Sequence, residues 1–227
     1  MYSRELLSPP NKLIVDGKPL FGCYKDLPKS MDIKGVKRPF RVIPLPKFIT
    51  NLRIRCSISL ILNTQEYIGN LYILDAKFFT YSEFILWKKD TKQKFSYRHI
   101  TGIRRRVIPK NLEKGNCHIR AKKREVHLRW NKEKNLFSLD LYMKGDKYRP
   151  SFSANFLINT NSSDFSKVFS VMPAPSTARC TALAQITGPT DGTLFINKNK
   201  QYIIPHIFYQ FNVIFKKVKP INVRFYK

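Results

Sequence analysis

The sequence predicts an all-β chain, an antiparallel barrel or strongly curved sheet, preceded by an extended proline-rich N-terminal leader. Three observations carry this. Apolar side chains recur with a period of two through much of residues 51–196. Clusters of turn-forming residues separate the alternating runs. No window keeps apolar residues at i, i+3, i+4 and i+7 for long enough to build an amphipathic helix.

The strands follow in order. Leu52, Ile54, Cys56, Ile58 and Leu60 alternate with Arg53, Arg55, Ser57 and Ser59, which describes a half-buried strand with a cationic and polar outer face. Tyr72, Leu74, Ala76 and Phe78 alternate around Asp75 and Lys77, and Phe84–Trp87 is a short apolar run. Cys117, Ile119 and Ala121 alternate with His118, Arg120 and Lys122. Val126, Leu128 and Trp130 follow, then Phe137, Leu139, Leu141 and Met143, then Phe152, Ala154, Phe156 and Ile158. Residues 165–172 and 180–187 are also strand-like. Asn131–Lys134, Lys144–Lys147 and Gly188–Gly192 read as the turns between neighbouring strands.

Residues 1–50 differ, holding 7 of the chain's 14 prolines. Proline removes backbone donors and breaks both helices and central strands. This stretch is expected to wrap the sheet as a leader, with 51–196 as the β domain and 197–227 as a basic tail.

The composition narrows the class further. A chain that is 43% hydrophobic and 13% aromatic buries a real core, which argues against disorder. Four cysteines at 23, 56, 117 and 180 form no C-x-x-C pair. An even count leaves a disulfide framework open. However, the start, MYSRELLSPP, has no apolar signal core, and Cys56 and Cys117 fall on apolar strand faces. The expectation is reduced thiols and a cytoplasmic protein. No apolar stretch reaches the ~20 residues of a membrane-spanning helix.

The net charge of +27 is unevenly spread. Residues 104–134 carry +9, residues 197–227 carry +7, and residues 151–196 are neutral. Two basic cores, Arg104-Arg105-Arg106 and Lys122-Lys123-Arg124, are the candidate anion-binding residues. Alternation along a strand would turn Arg105 and Lys123 away from their companions. Tyr97, Trp130 and Phe137 lie near them in sequence, but Trp130 is in phase with Val126 and Leu128 and belongs to the core. Nucleic-acid binding is therefore a subordinate reading.

No dinucleotide, P-loop, zincin or hydrolase-elbow motif is present in the sequence. The histidines at 99, 118, 127 and 206 lack metal-ligand spacing, so no metal or cofactor is expected. Asp75 and Asp140 sit between apolar neighbours and read as solvent-facing. No catalytic residue is assigned.

An ordered string of short motifs carries one resemblance. It runs Gly17–Tyr24, Arg38–Phe40, Pro44–Pro46, Phe48–Ile54, Glu66–Gly69, Asp75–Phe78, Thr91–Arg98, Gly102–Arg106, Lys144–Asp146, Arg149–Ser151 and Pro173–Pro175. Together they resemble a bacterial family known as a domain of unknown function, with spirochaete members. That family is distantly similar to the lipocalin-like proteins around hydroxyneurosporene synthase (carotenoid hydratase) and tocopherol cyclase. The resemblance spans roughly residues 1–200. It implies a lipocalin-like (calycin-like) architecture, and it assigns no chemistry to any residue here.

Members of that family run well past this length, so the resemblance implies a C-terminal truncation. From Ile204 the chain holds no acid, glycine or alanine, a composition that a shifted reading frame in AT-rich DNA produces. An ordinary terminal strand pair is the alternative. A truncated sheet would leave an open edge for self-association. Three functions follow from this reading. The first is a barrel that binds a small apolar ligand, or a remnant of an enzyme acting on one. The second is a fragment without independent activity. The third is a module binding polyanions, either nucleic acid or an anionic membrane.

Overall fold

Alternating apolar residues need a second layer to bury one face of each strand, and here the sheet supplies that layer by folding back on itself. A computed structural model of the chain describes residues 5–37, 39, 46–102, 107–161, 163–174, 176–201 and 203–215. The leader contributes β1 (Ile14–Val15), β2 (Lys18–Pro19) and β3 (Gly22–Tyr24). A short helix α1 (Lys47–Leu52) precedes a meander of β4 (Ile54–Thr64), β5 (Tyr67–Asp75), β6 (Thr80–Lys88) and β7 (Lys94–Thr101). A second meander follows: β8 (Lys114–Ala121), β9 (Arg124–Asn131), β10 (Leu136–Met143) and β11 (Phe152–Asn159). The remaining strands are β12 (Ser166–Ala174), β13 (Ser176–Ile196), β14 (Asn199–Gln201) and β15 (Ile203–Phe215).

The order along the main sheet is β7-β6-β5-β4-β15-β13-β11-β10-β9-β8, with β12 and β14 also pairing β13, and β3 pairing β12. All these strand pairs are antiparallel. Among the described residues β7 and β8 end the path without pairing each other. The open, strongly bent sheet is therefore the form present, rather than a closed barrel. The bend follows from one contact. Phe84 on β6 and Phe152 on β11 lie five strands apart along the path, ~24 Å in a flat sheet, yet their ring centroids are 4.5 Å apart.

β13 makes the bend. Its 21 residues serve both halves of the sheet. On one flank β12 pairs as far as Thr187 and β11 takes over at Thr190. Gly188 and Pro189 occupy that change of partner, where the missing proline N–H breaks no ladder bond on that flank. The Gly188–Gly192 segment is thus continuous strand, not the turn its composition suggests. Gly192 (φ 154°) lies so close to β11 that a Cβ there would stand 2.1 Å from the Asn155 carbonyl oxygen. The 197–227 segment, set apart as a tail by composition, supplies β14 and β15, and β15 lies between β13 and β4. Residues 216–227 lie outside the described residues.

Two local expectations change. The run from Leu52 is strand only from Ile54, because Lys47–Leu52 is helical, with Pro46 at its N-cap and Leu52 40% exposed. Proline suits a helix start, where its missing N–H is not needed. On β5 the buried face is Leu71, Ile73 and Asp75, while Tyr72 and Leu74 take the half-buried outer face. Both faces of β5 are apolar, so alternation alone could not choose between them. Asp75 is buried because it has work there: Oδ2 accepts the N–H groups of Val107 (3.0 Å) and Ile108 (3.4 Å), and Oδ1 accepts that of Lys77 (3.0 Å).

The leader packs on this sheet. Asp16 (φ 50°) and Gly17 (φ 79°) form the two-residue turn between β1 and β2, the left-handed pair such hairpins need. Leu13, Met31 and Ile33 are buried in the common core. Met31 N–H donates to the Lys110 carbonyl and Leu112 N–H to the Lys29 carbonyl, both at 2.9 Å, so the leader is zipped to the segment entering β8.

Candidate functional site

The β9–β10 hairpin lies at one end of the bent sheet, and its sequence shapes the wall of a pocket there. Asn131 Oδ1 accepts the N–H groups of Glu133 (3.1 Å) and Lys134 (3.4 Å), which closes the turn. Asn135 completes it at φ 48°. The preceding Trp130 lies across Gly115 of β8, where a Cβ would stand 2.1 Å from the indole Cζ2. Its Nε1–H donates to the Asn111 carbonyl at 3.1 Å. A rigid aromatic wall results.

The pocket, about 140 Å³, opens between five parts of the chain. Leu27 and Pro28 of the leader form one wall, and Leu112 and Trp130 another. Leu136 and Phe137 of β10, Phe165, and Ala184 and Ile186 of β13 complete the apolar lining. A cavity of ~150 Å³ lined by apolar side chains is large enough for benzene.

Four charged side chains also line the pocket, Asp26, Glu113, Lys132 and Lys167. Asp26 meets Lys167 at 2.9 Å and Lys132 at 3.7 Å, and its Oδ1 accepts the Leu27 N–H at 2.6 Å. Burial opposes ionisation of Asp26. The Lys167 and Leu27 hydrogen bonds and the two lysine charges outweigh it and hold the carboxyl below its usual range. One leader carboxylate thus neutralises two cations carried by β12 and the β9–β10 turn. Sequence patterning had no signal for this site, because it joins residues more than a hundred positions apart.

A second hollow, about 390 Å³, runs along β3 and β12 past Phe21, Cys23, Val171 and Met172. Its residues come from those two strands, from Phe21 just before β3 and from Glu5, so a ligand there would be held from one side.

The residues singled out in the sequence are dispersed. Arg104, Arg105 and Arg106 lie outside the described residues. Lys122 and Lys123 are the exposed turn between β8 and β9, and the half-buried Arg124 begins β9. The strand-alternation argument therefore does not separate Lys123 from Lys122. Burial, and then the Arg149 charge, lowers the pKa of Arg124.

His118 and His127 pair across β8 and β9 on the outer face, with ring centroids 4.6 Å apart. His118 Nε2 contacts Glu125 Oε1 at 2.8 Å, and His127 Nε2 contacts Asn116 Oδ1 at 2.9 Å. Burial, then the His118 and Arg129 charges, lowers the pKa of His127. Asp140 lies on the same face and accepts from Arg129 at 2.9 Å and from Asn155. Among the described residues, no group of three or more His, Cys, Asp or Glu is placed to hold a metal ion. Likewise no helix there is long and apolar enough to cross a membrane. Cys56, Cys117 and Cys180 are buried, and Cys23 is partly exposed.

No family model matches the chain, and no curated protein matches it. Among solved structures it aligns with kievitone hydratase from Nectria haematococca at 12% identity and TM-score 0.37, over 70% of this chain and 47% of that one. It also aligns with a protein of Nitrosomonas europaea assigned as AttH at 8% identity and TM-score 0.38, over 74% of this chain and 52% of that one. The chain spans about half the length of each. A likeness this distant assigns it neither their activities nor their families.

Proposed function

We propose that the chain binds a small molecule by its apolar end, a single ring or a short branched hydrocarbon segment, in the pocket walled by Trp130, Phe137, Phe165 and Ala184. The observation that carries this is a mostly apolar pocket beside which Lys132 and Lys167 share the Asp26 carboxylate. Such sites combine a greasy wall with a few polar groups that orient the guest. Lys132 and Lys167 fit a ligand that ends in an acidic group. Asp26 then acts as the leader's own carboxylate in that position, displaced when the ligand arrives.

The resemblance of the motif string to the relatives of hydroxyneurosporene synthase and tocopherol cyclase supports an isoprenoid-like or lipid guest and a lipocalin-like ancestry. This reading gives no side chain a catalytic role. We place the protein in the cytoplasm on the strength of its cysteine usage. The edges β7 and β8 are the proposed route of self-association, guarded by Arg98 on one and by Lys114 and Arg120 on the other.

The test is a titration with 1-anilinonaphthalene-8-sulfonate, an aromatic anion, read by the fluorescence of Trp130 in a Trp87→Phe background. Saturable one-to-one binding is expected, lost in Ala184→Leu and retained in Met172→Gln of the second hollow. Equal binding by wild type and Ala184→Leu, with both chains folded by circular dichroism, overturns the reading.

A further inference from the structure

The end of the sheet opposite the pocket carries a different set of connections. β9 runs from Arg124 at that end to Asn131 at the pocket, and its eight residues span ~26 Å. Three connections meet there: the β8–β9 turn, the β10–β11 loop and the β13–β14 turn. Lys144 N–H donates to the Lys123 carbonyl at 2.8 Å, which joins the first two. Asn197 N–H donates to the Ser151 carbonyl at 3.0 Å, and Asn197 Oδ1 accepts the Ser151 N–H at 2.9 Å, which joins the last two.

Residues 121–124, 144–151 and 197–198 hold seven basic side chains and one acidic, a net +6. The one acid, Asp146, is engaged by Arg149. The loops at the pocket end (25–29, 110–113, 131–135 and 160–165) hold five basic and four acidic side chains, a net +1. These two sets of loops therefore differ in charge by five units. Lys122, Lys123, Lys147 and Lys198 are exposed at the tips. Among them Tyr148 is 79% exposed, with the Lys147 ammonium 5.9 Å from its ring centroid.

We infer that these three tips dock the protein on an anionic membrane surface. Lysines on projecting turns meet a plane of negative headgroups without needing a groove. An exposed tyrosine at a tip suits the interfacial layer, where an amphipathic ring finds both apolar and wet surroundings. Single-stranded nucleic acid is the less favoured partner, because stacking needs a free ring face and a track of several aromatics. The Tyr148 ring instead carries its neighbour's ammonium. Docked by this end, the pocket stays open to water, so this inference stands independently of the ligand proposal.

The test is co-sedimentation of the full chain with vesicles at ~0.15 M salt, where the Debye length is ~8 Å. Vesicles of phosphatidylcholine with a minor fraction of phosphatidylserine are compared with phosphatidylcholine alone. The account expects binding to the anionic vesicles only. It expects a loss of ~10-fold or more in K122Q/K147Q, a smaller loss in Tyr148→Ser, and near wild-type binding in K25Q/K134Q, which removes the same charge from the other end. Equal losses in the two double variants, no binding to either vesicle, or binding to a single-stranded oligonucleotide in place of vesicles overturns it.

Discussion

The buried carboxylate of Asp75 accepts the backbone N–H of Val107 at 3.0 Å, tying β5 to the segment that enters β8. These strands lie in opposite halves of the bent sheet. The same carboxylate also receives Ile108 and Lys77. Truncation strands three donors at once, two of them in a segment that leads to the pocket wall. Asp75→Ala is expected to cost ~2–4 kcal/mol, read as a lower urea midpoint. A change within ~0.5 kcal/mol would show that the clamp is dispensable.

Trp130 depends on the absence of a side chain at position 115. A Cβ there would overlap the indole, so Gly115→Val forces Trp130 out of its place. We expect ~1–3 kcal/mol of destabilisation and a red-shifted Trp130 emission in the Trp87→Phe background. An unshifted spectrum would place the indole elsewhere.

Asp26 links leader docking to pH. Its folded pKa is depressed, so its contribution to holding the leader is present above the unfolded carboxylate value and is lost as pH falls through the folded value. Protection of the amides around Leu27, taken against the intrinsic exchange rate at each pH, should therefore fall below about pH 4, and Asp26→Asn should show the same lowered protection at neutral pH. The same variant leaves Lys132 and Lys167 without their carboxylate, so it should bind the anionic probe more tightly. Weaker binding would contradict the displacement proposal.

Burial raises the Cys117 thiol pKa to about 12, with the nearby Asp75 charge assisting, and burial alone raises that of Cys180 to about 12. Both stay protonated and inaccessible near neutral pH. Iodoacetamide should label Cys23 first, and Cys117 and Cys180 only after unfolding, as followed by peptide mass mapping.

Much of the fold was legible because several strands, β9 among them, have one distinctly polar face. The β9 pattern of Val126, Leu128 and Trp130 against His127 and Arg129 left one choice of face, and the structure adopts it. β5 was illegible in phase because Leu71 and Ile73 are as apolar as Tyr72 and Leu74. What settled it was a distant pair of N–H groups at 107 and 108. The Gly188–Gly192 segment has the composition of a turn, and only the change of partner along β13 explains why it stays extended. The pocket was illegible for a similar reason. Asp26, Lys132 and Lys167 carry no shared motif, and the bend of the sheet brings them together.

Organic extraction of protein purified without detergent, followed by mass spectrometry of the extract, tests the ligand proposal most directly. The account predicts one apolar acid released in near-stoichiometric amount from the wild type and absent from Ala184→Leu. Extracts of the two proteins that match, or a wild-type protein that yields no small molecule and takes up none offered to it, would contradict the account.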